Sequence, residues 1–110
     1  MLKYNHLGIP TAHRMPGETY LPQFKVYVSG CEDSPYRIEW MRFEPDCPLP
    51  DIVKTVPHVA FEVDDLSQAV SDKKVIIAPN SPSGGLEVAF VEVNGAPVEL
   101  MQFRTPHPAR

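Results

Sequence analysis

The chain predicts an α+β domain of two related halves, made mostly of strands with little helix. Three observations carry this. Seven separate runs rich in Val, Ile, Phe and Tyr read as strands, and several of them alternate apolar and polar residues with a period of two. Thirteen prolines fall mostly between those runs, and proline cannot donate to a strand ladder, so they mark strand ends and loops. A His–Glu pair also recurs. His6 and Glu39 sit in the first half, His58 and Glu99 in the second, and the second spacing is only modestly longer than the first.

The elements follow in order. KYNHLGIP (3–10) reads as the first strand. TAHRMPGETYLP (11–22) is irregular, because Pro16-Gly17 and Pro22 break any helix there. QFKVYVSG (23–30) and YRIEWMRFE (36–44) are two further strands. EPDCPLPDIVKTV (44–56) reads as a connection between the halves, either a lid or a plain linker. PHVAFEVDD (57–65) opens the second half. The one expected helix runs from Ser67 to about Lys73, capped by Asp65 or Ser67, with Leu66 and Val70 on its apolar side. KVIIAP (74–79), LEVAFVEVN (86–94) and PVELMQFR (97–104) complete the chain. Asn94-Gly95 is a strong two-residue hairpin signal, since both positions tolerate positive φ. The expected organisation is thus one domain over 1–110: a first module at about 1–45, a linker at about 46–56 and a second module at about 57–104.

Bulk properties exclude several classes. A formal charge of −4, with basic residues scattered, argues against a nucleic-acid surface. No apolar run approaches the roughly 18 residues that span a bilayer, so no membrane is expected. The start shows no signal-peptide core, and a cytoplasmic protein is expected. Cys31 and Cys47 lack metal-motif spacing and read as reduced bystanders.

Strand parity places the side chains. In HVAFEV, His58, Ala60 and Glu62 share one face, and Val59, Phe61 and Val63 the other. The branched face should pack under the helix and the histidine face should line a cavity. In PVELMQF, Val98 and Leu100 fall on the helix side, with Glu99, Met101 and Phe103 on the cavity side. Glu39 shares a face with Arg37, Met41 and Phe43. A carboxylate among apolar neighbours must be paired, protonated or metal-bound, because burying it alone is costly. His6, Glu39, His58 and Glu99 are therefore the candidate metal ligands. Two imidazoles and two carboxylates suit one divalent ion of zinc, nickel, cobalt, manganese or iron. His13 and His107 read as surface residues, Glu62 and Glu92 as solvated or cavity-edge groups, and Arg37 and Arg42 as salt-bridging surface residues.

These segments resemble the vicinal-oxygen-chelate superfamily, which includes glyoxalase I, methylmalonyl-CoA epimerase, extradiol dioxygenases and fosfomycin- and bleomycin-resistance proteins. The resemblance rests on His6-Leu7-Gly8-Ile9, on the stretch from His58 to Leu66, on Val98-Glu99-Leu100 and, more briefly, on Ile38-Glu39-Trp40. It covers nearly the whole chain. It implies tandem βαβββ modules whose mixed sheets curl around a metal-holding cavity. Residues 11–22 depart from it, so the first-module helix is expected to be reduced or absent. The activity implied is that of an isomerase or lyase: proton transfer next to a carbonyl, through a metal-held enediolate, on a small-molecule substrate. Glu99 is then the better base and Glu39 its counterpart. An Fe(II) extradiol dioxygenase, or a metal-free small-molecule-binding protein of the resistance type, is the alternative. Exposed sheet edges favour a homodimer.

Overall fold

The computed structural model describes residues 2–104; His107 lies outside them. Eight strands form one sheet: β1 (Lys3–Pro10), β2 (Thr19–Leu21), β3 (Val26–Ser29), β4 (Ile38–Phe43), β5 (His58–Glu62), β6 (Lys74–Ser83), β7 (Leu86–Val93) and β8 (Ala96–Phe103). Two short helices, α1 (Asp51–Thr55) and α2 (Leu66–Val70), complete the described residues. The strand order is β2-β3-β4-β1-β5-β8-β7-β6. Read outward from the centre, each half repeats the other: β1 pairs parallel with β4, and β5 pairs parallel with β8. The halves meet where β1 runs antiparallel to β5. The result is a mixed sheet curled into a half-barrel, an α+β fold with reduced helices.

The curl brings the two edges of the sheet toward each other. The Gln23 side chain, in the turn after β2, donates to the Pro82 carbonyl on β6 at 3.3 Å. Strand β6 carries Pro79 and Pro82, which an edge strand tolerates because its outward side needs no donor. Its register against β7 shifts three times, and such irregularities bend a strand.

Two apolar layers follow from the alternation. On the convex side, α2 covers a core of Leu66, Ala89, Val91 and Leu100, with Phe61, Val63 and Val98 packed against it. On the concave side Ala60, Val88 and Met101 pack with Leu86 and Phe103. The parity expected for HVAFEV and PVELMQF is the parity observed. Helix α2 is shorter than Ser67–Lys73, and Asp65 caps it by accepting from the Gln68 amide at 3.1 Å. Asn94 and Gly95 both take positive φ, the geometry of the tight hairpin between β7 and β8.

Two expectations are corrected. QFKVYVSG is not one strand from residue 23. Residues 22–25 form a turn closed by Phe24 N–H to the Leu21 carbonyl, with Lys25 at φ 54, and Thr19–Leu21 pairs back onto β3. Pro22 suits the first central position of such a turn. The stretch 11–22 thus has no helix but ends in a short strand. The linker also holds a helix, α1, where none was expected. Its β-branched Ile52 and Val53 argue for strand, but Val53 is fully buried, and tertiary burial decides. Among the described residues no helix is long and apolar enough to cross a membrane.

Candidate metal centre

The two central strands and their parallel neighbours build the site. Gly8 on β1 lies opposite Glu39 on β4, and Ala60 on β5 lies opposite Glu99 on β8. Each histidine stands two residues before the small member of its pair. Across the junction, His6 faces Ala60 and His58 faces Gly8. The repeat in sequence is therefore a repeat in space, and it projects both histidines and both glutamates toward the concave side.

The small residues make room for the rings. A Cβ on Gly8 would sit 2.2 Å from His58 Cε1, so only glycine lets the imidazole lie against β1. His58 is 1% exposed and His6 6%. Their rings meet edge to face at 5.5 Å, and Phe90 packs against His58 at 5.0 Å.

His6, His58 and Glu99 converge, with ligand atoms all within 4.8 Å of one another. Glu99 Oε1 stands 3.3 Å from His6 Nε2 and 3.2 Å from His58 Nε2. Glu39 reaches the same cavity but stands back, with Oε1 3.7 Å from His6 Nε2. Two imidazole nitrogens and a carboxylate oxygen converging at this range fit the donor set of a divalent transition metal, so the group could hold a metal ion.

The electrostatics of the metal-free site follow from burial. Burial is the largest influence on Glu99 and works upward, but hydrogen bonds from His58 and His6 outweigh it and hold the carboxyl at about 2. Burial pulls His6 down, yet its hydrogen bond to Glu99 and the charges of Glu99 and Glu39 outweigh that and raise it. Glu39 is raised by burial.

A second layer orients His6. Strand β1 bulges here, so that Asn5 and His6 together oppose Ala60. The bulge turns the buried Asn5 side chain beside the ring, where Oδ1 meets His6 Nδ1 at 2.6 Å. Asn5 Nδ2 donates to Glu62 at 2.9 Å, and Arg37 Nε donates to the Asn5 carbonyl at 2.6 Å. Because the Asn5 amide nitrogen is spent on Glu62, its oxygen accepts. That holds one His6 proton on Nδ1; the protonated ring also donates from Nε2 to Glu99, and on losing that second proton it turns the Nε2 lone pair toward the site. His58 has no such partner: Pro57 precedes it, and its buried Nδ1 is unbonded among the described residues. Replacing Asn5 by alanine is expected to weaken divalent-ion binding about 10- to 100-fold with the fold retained. Competition against a chromophoric chelator measures this, and unchanged affinity would remove Asn5 from the site.

Asn5 was not singled out from the sequence, because its role depends on a bulge that no local pattern announces. Of the other residues weighed there, His13 is exposed. Glu92 pairs with Lys74 at 3.1 Å. Arg42 forms a double hydrogen bond with Glu18 and lies 4.1 Å over the Tyr27 ring. Cys31 and Cys47 form no disulfide among the described residues, and Cys47 donates to the Phe24 carbonyl.

Fold and site together define a class: a curled half-barrel of two related four-stranded modules with a His, His, Glu group on its concave face. No family model matches the chain, and no curated protein does. Among solved structures the chain is similar to a hypothetical protein from Bacillus halodurans C-125, with a TM-score of 0.70, 17% identity, and coverage of 99% of this chain and 98% of that one. At that identity the likeness shows the shared fold.

Proposed function

We propose that this chain is a divalent-metal-dependent isomerase or lyase of the vicinal-oxygen-chelate superfamily, glyoxalase I-like in chemistry, acting on a small molecule. The observation that carries the reading is the convergence of His6, His58 and Glu99, brought together by the internal repeat, with His6 and Glu99 lining the cavity. A charge argument supports it. Among the described residues the cavity is lined by two partly buried carboxylates and by no lysine or arginine, a cost that one divalent ion removes.

In this reading His6, His58 and Glu99 hold the ion, which when bound would polarise a substrate carbonyl as a Lewis acid. Glu39 reaches the cavity without a hydrogen bond as close as those Glu99 makes, so we assign it the proton transfer next to the carbonyl. The apolar walls exclude water from that carbon. Glu99 is then mainly a ligand, the reverse of the weighting that the family resemblance implies. A homodimer remains the proposed assembly.

One observation favours a second reading. Because Glu39 stands back, the tight group is two histidines and one carboxylate, the set used by Fe(II) oxygenases, including extradiol dioxygenases. Metal analysis of the purified protein, with chelator controls and re-loading, separates the two. About one zinc, nickel, cobalt or manganese ion per chain, lost in His58→Ala, is the expected result; selective retention of Fe(II) turns the assignment to the dioxygenase. Absence of specific metal under every condition would leave a metal-free binding protein. Glu39→Gln is expected to keep the ion and lower turnover at least about 100-fold, whereas Glu99→Gln is expected to lose the ion. If Glu39→Gln stays active, the base lies elsewhere.

A further inference from the structure

Resting on the metal-site reading above, in which the resemblance implies two adjacent substrate oxygens at the metal end, we propose that the rest of the cavity takes an uncharged, largely apolar tail. We further propose that it rejects molecules whose far end carries a carboxylate or phosphate. The cavity encloses about 300 Å³. Val26, Met41, Ile77, Leu86, Val88 and Phe90 supply much of its wall, and Leu49 and Val53 of the linker close its floor. The polar groups are segregated. His6, Glu39 and Glu99 stand at the metal group, and the neutral side chains of Gln23, Asn80 and Ser83 come from the converging sheet edges.

Among the described residues no lysine or arginine lines this space. The nearby cations are engaged elsewhere. Arg42 is held by Glu18 and Tyr27, Lys25 by Asp46, and Lys54 by the Cys47 carbonyl and Asp51. Arg37 is close enough for His6 and Glu39 to feel its charge, but its Nε is given to the Asn5 carbonyl and it does not line the cavity. Two carboxylates would balance one divalent ion, so the centre offers an incoming anion no surplus positive charge. An anionic tail would give up its hydration in a largely apolar cavity and meet only neutral polar side chains, with no countercharge to offset the loss. An apolar tail instead gains from every carbon it buries.

Alkyl hydroxamic acids test this, since they carry two adjacent oxygens on a tail of chosen length. Their binding would be measured by calorimetry to zinc-loaded and metal-free protein, from butano- to octanohydroxamic acid. Suberic acid monohydroxamate would be the carboxylate-ended counterpart. Affinity is expected to rise about fourfold per added methylene, and the terminal carboxylate to weaken binding about 30-fold or more. Ile77→Lys, on the edge strand where a lysine is tolerated, is expected to reverse that penalty. The chain-length slope and the carboxylate penalty, in either form of the protein, support the proposal. Affinity independent of chain length, equal binding of the two tails, or no binding of any probe overturns it. Failure of the metal-site reading shows separately, as equal affinities with and without zinc.

Discussion

Replacing Gly8 by alanine is expected to lower divalent-ion affinity by at least about 100-fold, the scale of a lost ligand-orienting contact. Gly8 lies opposite Glu39 on one side and His58 on the other, at the point where the two modules join. The added Cβ would stand 2.2 Å from His58 Cε1, 2.7 Å from Nδ1 and 2.8 Å from Nε2. No rotation of the methyl avoids a whole ring, so the imidazole must leave. It has little room to leave into, being 1% exposed and packed against Phe90. The displaced ring overpacks the core, at a cost of about 1–3 kcal/mol in stability. Gly84→Ala is the control: a Cβ there meets nothing within 4 Å, and neither stability nor metal affinity should change. Metal content, a chelator competition and a thermal melt on the two variants decide it. Wild-type metal affinity in the Gly8 variant would show that His58 does not bind in the position described.

That prediction rests on a contact absent from any local pattern, and the difference marks how far the sequence could be read. Which face His58, Ala60, Val98 and Glu99 occupy was legible, because burial in a half-covered sheet alternates residue by residue. The Asn94-Gly95 hairpin was legible because its backbone demands φ values few other residues accept. The pairing of His6 with Glu39 and His58 with Glu99 was legible as a repeat. The rest depends on partners distant in sequence. Thr19–Leu21 is a strand only because β3 turns back on it. Val53 is helical because the cavity floor buries it. Asn5 meets His6 because β1 gains one residue against β5, and Gly8 matters because that register brings His58 over it. Register between strands is a global property, and a single strand does not encode it.

The metal-free protein is expected to be most stable between about pH 4.5 and 6.5 and to weaken on both sides, with a divalent ion reversing the loss on the alkaline side. Glu99 sets the acid limit. Its carboxyl falls from an ordinary 4.5 to about 2 on folding, so its contribution is present above 4.5 and disappears as pH falls toward 2. That difference corresponds to about 3 kcal/mol. His6 sets the alkaline limit. Its value is raised on folding from 6.5, so its contribution is complete below 6.5 and disappears as pH rises through the folded value. Glu39, raised from 4.5 by burial, acts in the same direction as His6 and tilts the optimum toward acid. As pH rises and His6 gives up its proton, carboxylate charge in the site is left without that partner, the state a divalent ion relieves. At 100 times its dissociation constant the ion should return about 2.7 kcal/mol, a rise in Tm on the order of 10 °C. At pH 5 protons compete with the ion for His6, and the same concentration should do much less. Thermal melts at pH 5 and 8, with and without zinc, measure the difference. Equal stabilisation at the two pH values would mean that the ion binds away from His6, and the metal centre would have to be sought elsewhere.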